Sequence, residues 1–287
     1  MGAPRVLVVD GNLAATRAKQ IAAGGHGSGE GYVATLTSLL PELQCDIVRP
    51  ADQPVQLPAG VRLEDYDGVA ITGSALNVYD GGSHIERQIE LARAVFEAGT
   101  PFFGSCWGLQ VAVVAAGGEV RKNPLGREFG FGRRIVLNDA GRAHAMFAGK
   151  PRVFEAVTVH RDDIGRLPPR SIELATNEMG LQAAEIPCGR GVFWGVQYHP
   201  EYGYAEIAAT ALRYGPTLLA EGLFANEDDL ATWIADMRAL ERDPGSTRVF
   251  WRHGLGPSLR EPRVKLAEID NWLQRCVLPH RARRGIA

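Results

Sequence analysis

Phe102-Phe-Gly-Ser-Cys106-Trp-Gly-Leu-Gln110 is the stretch on which the fold turns. An apolar run enters Gly-x-Cys-x-Gly and leaves into helix-forming residues, the pattern of a strand that bends sharply into a helix and exposes a nucleophile at the bend. Glycine two positions either side of Cys106 lets neighbouring backbones approach closely. A helix starting just after the cysteine directs its positive end at the sulfur, a placement that favours a thiolate. Composition alone supplies only about 0.06 such patterns in a chain of this make-up, so the match carries information. The competing reading is a buried thiol packed as a small hydrophobe.

Around this elbow, short runs rich in Val, Ile and Phe alternate with segments of helical period, which predicts a parallel sheet covered on both faces. Strands are expected at 5–10, 46–49, 68–72 and 101–105. Helices are expected at 30–40 and 83–98, the second placing Ile85, Ile89, Ala92 and Phe96 on one face. From about residue 131 the texture changes to strands joined by tight polar turns, at 134–137, 153–159, 172–176, 181–186 and 191–197. The pattern is an open α/β sheet with a β-rich stretch inserted before its last element, followed by a helix near 205–215. The glycine-rich Gly24-Gly-His-Gly-Ser-Gly-Glu-Gly31 lacks the Gly-Lys-Ser/Thr ending of a phosphate loop and reads as a mobile loop near the site.

A nucleophilic thiol needs a base, and the base needs an orienting acceptor. Val192-Phe-Trp-Gly-Val-Gln-Tyr-His199-Pro-Glu201 brings a histidine to the C-terminal end of an apolar strand, where ligand sites of open α/β sheets lie. His-x-acid pairs arise by chance about 0.8 times in this composition, so the placement after a strand is the informative part. Read without Cys106, a structural histidine stands equally open.

Together, Gly104-Ser-Cys106-Trp-Gly108-Leu-Gln110 and Gly195-Val-Gln-Tyr-His199-Pro-Glu201 resemble the class I, or triad, glutamine amidotransferases. Ile71-Thr-Gly73-Ser74 followed by Val78-Tyr79-Asp80, Arg127-Glu-Phe-Gly130 and Val159-His160-Arg-Asp162 are similar to segments of the glutaminase domain of GMP synthetase. The resemblance covers roughly residues 5–220. It implies an α/β fold with an open, mostly parallel, flavodoxin-like sheet flanked by helices. It also implies that Cys106 is the nucleophile, His199 the base and acid, Glu201 the acceptor that fixes the His199 tautomer, and the backbone N–H groups of Gly73 and Trp107 the oxyanion hole. Gln110 and Ser74 then hold the substrate's amino-acid end. Thr72-Gly73-Ser74 departs from the family's Gly-Gly-Pro or Asn-Gly-Pro, which removes the proline that stiffens the turn.

The remaining composition narrows the function. The chain has 287 residues with 31 basic against 33 acidic side chains. That balance gives no field selecting nucleic acid or an anionic membrane. The longest apolar run, near Val111–Ala116, is far short of the roughly 20 residues that span a bilayer. The first residues read as a strand and not a signal peptide. Four scattered cysteines argue against a zinc site or disulfide framework, so no metal or cofactor is expected and the cytoplasm is the expected compartment.

The expected organisation is a glutaminase domain, 1–223, and a small helical C-terminal extension, 224–287. In the extension, Asn226 caps a helix carrying Leu230, Trp233, Ile234 and Met237, a second helix covers 263–278, and His280 to Ala287 form a frayed basic tail. Trp233, Phe250, Trp251 and Trp272 are expected to pack, while Arg252, Arg260 and Arg263 leave room for an anion. No ATP-binding motif accompanies the glutaminase signature. The resemblance therefore implies glutamine hydrolysis that delivers ammonia to a separate synthetase subunit. The alternatives are a stand-alone γ-glutamyl amide hydrolase and a non-catalytic regulatory homologue. The extension could dock that synthetase, form a homo-oligomer or cover the core.

Overall fold

In the computed structural model, which describes residues 2–285, strand β1 (Arg5–Val9) opens a β/α succession. It continues through α1 (Ala14–Ala22), α2 (Ser28–Leu39), β2 (Gln44–Val48), β3 (Gly68–Ile71), α3 (Ser83–Ala98), β4 (Phe102–Ser105) and α4 (Trp107–Ala115). There follow β5 (Glu119–Lys122), β6 (Gly130–Leu137), the short α5 (Asp139–Ala143), β7 (Val153–Thr158), β8 (Asp162–Arg166), β9 (Ile172–Asn177), β10 (Gly180–Cys188), β11 (Gly191–Val196) and α6 (Tyr204–Ala220). The nine-stranded sheet runs β2-β1-β3-β4-β11-β10-β9-β6-β7. Its half from β2 to β11 is parallel, and the inserted strands extend it in antiparallel fashion. β5 and β8 form a separate small ladder. Neither strand was expected, because Glu119-Val-Arg-Lys and Asp162-Asp-Ile-Gly-Arg carry little apolar alternation.

Both faces of the parallel half are buried, which explains why its strands read as continuous apolar runs. Leu7, Val9, Val69, Ile71 and Phe102 point toward α3 and α4, and Val6, Val8, Ala70 and Phe103 toward α2. On that second face lies part of the C-terminal extension, and the packing expected of Trp272 is found there. Ile269, Trp272, Leu273 and Val277, from the far C-terminus, belong to the same apolar cluster as Val6 and Phe103. The Trp272 ring lies 5.7 Å from Phe103. Gly68 makes room for it, because a Cβ there would come within 2.8 Å of both Trp272 and Val277.

The C-terminal segment begins with α7 (Glu227–Arg242), capped by Asn226 as expected. It continues through short helices α8 (Thr247–Arg252), α9 (Pro257–Arg260), α10 (Pro262–Lys265), α11 (Ala267–Trp272), a π-helical turn over Leu273–Val277 and α12 (Leu278–Arg283). The expected single helix over 263–278 is thus divided. Its anchor is a buried ion pair. Lys150 Nζ lies 2.7 Å from Glu268 Oε1, both side chains being almost fully excluded from water, and Tyr198 Oη donates to the same carboxylate. Burial pushes the Lys150 amine down, while Glu268 opposes it.

Three expectations need correction. The basic tail is not frayed over its described part. Arg281 and Arg284 each lie 3.0 Å from the buried carboxylate of Asp67, a paired arrangement that such burial requires, while Ile286 and Ala287 lie outside the described residues. Trp251 does not pack, being 80% exposed. The glycine-rich stretch is not a loop throughout, because Ser28 opens α2, and a Cβ at Gly29 would come within 2.9 Å of Ile47. Of the arginines left for an anion, Arg252 is occupied by Asp236 at 2.8 Å. No helix of the described residues is long and apolar enough to cross a membrane.

Replacing Trp272 with Ala removes the ring on which the C-terminal segment meets the sheet, and should lower unfolding stability by about 3–5 kcal/mol. Trp251→Ala should stay within about 0.5 kcal/mol. Urea denaturation of the two variants checks the contrast.

Candidate active site

Three adjacent parallel strands, β3, β4 and β11, bring the expected site residues to one edge of the sheet. Chain separation is cancelled by pairing: Ser105 stands opposite Val196 in the β4–β11 ladder, so Cys106 and His199 emerge side by side although 93 residues apart. On the other flank of β4, β3 ends at Ile71 and releases Thr72 and Gly73. This is the carboxyl edge where ligands of open α/β sheets bind.

The elbow has the geometry its glycines suggested. Cys106 takes φ +52°, ψ −98°, a strained conformation for a residue with a side chain, and its N–H donates to Val196 O at 2.7 Å. A Cβ at Gly104 would meet Gly108 Cα at 2.9 Å, and one at Gly108 would meet Ile71 O at 2.7 Å. Only glycine allows α4 to sit this close to β3 and β4. Trp107 opens α4 with its indole fixed by Gln88 at 2.7 Å. Among the described residues, neither the Trp107 nor the Gly73 N–H has an acceptor, the condition for both to serve an anion.

His199 is 3% exposed. Its Nδ1 lies 2.8 Å from Glu201 Oε1, and its ring stacks on Tyr202 at 4.1 Å. The second Glu201 oxygen accepts from Ser105 Oγ at 2.9 Å, and Ser105 Oγ is in turn 3.1 Å from Tyr32 Oη. Burial alone would disfavour the imidazolium. The Glu201 carboxylate and the neighbouring Cys106 sulfur outweigh it and raise the His199 pKa to about 10. Gln197 Nε2 donates to Cys106 Sγ at 3.6 Å.

The Thr72-Gly73-Ser74 turn is stiffened without proline. Thr72 Oγ1 donates to Gly73 O at 2.9 Å, Asn12 Nδ2 donates to the same oxygen at 3.2 Å, and Asn12 Oδ1 accepts from Ala75 N at 3.0 Å. Ser74 Oγ donates to Gly11 O. Gln110 and Ser74 line one polar cleft of about 50 Å³ together with Cys106 and His199. Arg161, Asp162 and Arg213 line it too, so both signs of charge border this cleft. The structure therefore brings together all seven residues singled out from the sequence.

Sequence reasoning passed over Asn12, Tyr32, Ser105, Gln197 and Tyr202. Asn12 had a usable signal, since it follows β1 at the same carboxyl edge. Tyr32 had none, because it reaches Ser105 from the middle of an apolar helix face.

Residues 28–213 match the family model described as glutamine amidotransferase class-I. A γ-glutamyl-L-1-hydroxyisopropylamide hydrolase from a Pseudomonas species is 32% identical over 285 residues, covering 98% of this chain and 95% of that protein. The GMP synthase of Leifsonia xyli is 31% identical over 190 residues, 64% of this chain but only 35% of the synthase. Among solved structures, a glutamine amidotransferase from Thermotoga maritima aligns with a TM-score of 0.67 at 17% identity, covering 96% of this chain and 99% of that one, which shows a shared fold. With the family model spanning most of the chain and a relative matched nearly end to end, the protein belongs to the class I glutamine amidotransferase family.

Proposed function

We propose that the protein is a self-contained γ-glutamyl amide hydrolase, using Cys106, His199 and Glu201 through a γ-glutamyl thioester. The observation that carries the mechanism is the His199 imidazole held between Glu201, 2.8 Å from its Nδ1, and the Cys106 sulfur at the elbow. The relative matched over nearly its whole length is a γ-glutamyl amide hydrolase, whereas the chain spans about a third of the GMP synthase. That contrast favours hydrolysis of an organic γ-glutamyl amide over ammonia delivery to a separate synthetase. Glutamine, the simplest such amide, remains a substrate under either reading.

In this mechanism the Cys106 thiolate attacks the γ-carbonyl carbon, and the resulting oxyanion is held by the N–H groups of Gly73 and Trp107, each worth on the order of 3 kcal/mol. The imidazolium gives its Nε2 proton to the departing nitrogen as the C–N bond breaks. Neutral His199 then takes a proton from water, whose oxygen attacks the thioester. The C–S bond breaks, glutamate leaves and the thiolate returns. Glu201, pinned by Ser105, holds the ring so that Nε2 faces the sulfur. Gln110, Ser74 and the mixed charges of Arg161, Asp162 and Arg213 suit the zwitterionic end of a glutamyl group.

Cys106→Ala should reduce glutamate release by about 10⁴-fold or more, assayed on glutamine and on γ-glutamyl alkylamides. Turnover comparable to wild type removes the reading.

The raised His199 pKa sets the pH dependence. Its protonated form stabilises the fold fully below the ordinary value of 6.5, and that contribution is lost as pH rises through about 10. The same loss takes away the proton needed by the leaving amine, so kcat/KM should fall along an alkaline limb near pH 10. Glu201→Gln removes the largest opposing charge and should move that limb toward neutrality, with a smaller loss of rate than Cys106→Ala. A pH–rate profile with an unmoved limb contradicts the role given to Glu201.

A further inference from the structure

Beside the proposed triad lies a second cavity, of about 230 Å³. Tyr202 lines both spaces, and Gly73 and Glu201 line the larger one. A Cβ at Gly73 would come within 2.4 Å of His199 Cε1, so the lack of a side chain there lets the imidazole lie against the wall of the cavity. Ammonia needs no such room. At roughly 30 Å³ for a water-sized molecule, the cavity exceeds what glutamine's leaving group would occupy several times over.

The lining divides into an apolar body and a polar end. Gly31 and Ala205, with the ring of Tyr32, lie among the apolar walls, while Glu206 and Glu241 stand at the mouth. Glu206 is already used, accepting from Gln20 Nε2 at 2.6 Å and from His26 N at 2.9 Å. Glu241 accepts from Ala205 N through Oε2, and its Oε1 has no hydrogen-bond donor among the described residues. Lys265 faces this group from α10. Burial pushes its amine down to about 8, against the pull of Glu241 and Glu201. A cation entering beside Glu241 would meet the charge of Lys265, whereas an uncharged donor would not.

We propose that this cavity is the leaving-amine subsite, and that it takes a small alkylamine ending in an uncharged hydrogen-bond donor, such as a hydroxyl, received by Glu241. The inference rests on the hydrolase reading and adds to it the amine side of the substrate. The scissile nitrogen must lie at His199 to receive its proton. Its substituent is then directed past Gly73 and Tyr202, which border both the imidazole and the cavity. Binding energy from that remote part of the substrate orients the amide bond against Cys106.

The test compares glutamate release from glutamine, γ-glutamyl-n-propylamide, γ-glutamyl-(2-hydroxyethyl)amide and γ-glutamyl-(2-aminoethyl)amide. In the wild-type protein, kcat/KM should be about 10-fold or more higher for the hydroxyethylamide than for glutamine, with the propylamide and aminoethylamide below the hydroxyethylamide. Gly31→Phe, which fills the cavity, should lower the hydroxyethylamide-to-glutamine ratio by about 10-fold or more, and Glu241→Leu should abolish the preference for hydroxyethyl over propyl. Glutamine hydrolysed at least as well as the alkylamides, a preference for the aminoethylamide, or an unchanged ratio in Gly31→Phe overturns the subsite while leaving the hydrolase reading intact. No turnover of any of the four overturns the hydrolase reading and the subsite with it. If Gly31→Phe does not fold, the wild-type series decides alone.

Discussion

The close approach of α4 to β3 and β4 is the constraint from which the site follows. Two glycines permit it: side chains at Gly104 and Gly108 would run into the helix backbone and into Ile71 O. Once the helix is this close, the one residue left to make the bend is Cys106, and it does so at positive φ. Its sulfur then sits at the start of α4, next in the chain to the Trp107 N–H, which has no acceptor among the described residues. Push the helix outward and the proposed nucleophile, the Trp107 N–H and the contact with Gly73 all move apart. Strain at Cys106 is tolerated because the strands around it, tied down at Val196 O, leave the backbone no alternative path.

A second dependence runs from the end of the chain to the base. Tyr198 immediately precedes His199, and its hydroxyl donates to Glu268, the carboxylate paired with Lys150. The C-terminal segment therefore fixes the backbone that delivers the imidazole. Its apolar residues share a core with β1, β3 and β4, and Glu241 of α7 borders the larger cavity. Buried ion pairs are weak sources of net stability, yet breaking one is costly. Here the pair holds the C-terminal segment against Tyr198, next to the proposed base.

Electrostatics separates the two sides of the site. The cleft beside Cys106 mixes Arg161 and Arg213 with Asp162. The larger cavity is apolar with carboxylates at its mouth. His199 lies between them, and the charge of Glu201 keeps it protonated against the cost of burial. The Tyr32–Ser105–Glu201 chain of hydrogen bonds connects α2, which lines the larger cavity, to the carboxylate that holds the His199 ring.

The sequence by itself determined the elbow, the strand carrying His199 and the α/β alternation, because each is local: glycine spacing, apolar runs and helical period are written in consecutive residues. It also singled out Ser74, Cys106, Gln110 and His199, which line the cleft, and Gly73, Trp107 and Glu201, which lie against them. Only the tertiary structure decided what holds them. Asn12, Tyr32 and Ser105 act through partners distant in the chain, and no spacing rule connects position 12 to position 73. The C-terminus misled for the same reason. Arg281 and Arg284 read as a solvated tail until Asp67, over 200 residues earlier, supplied a buried carboxylate that needs them. Trp272 and Trp251 are alike as letters and opposite in burial, because what distinguishes them is the face of the sheet that one of them meets.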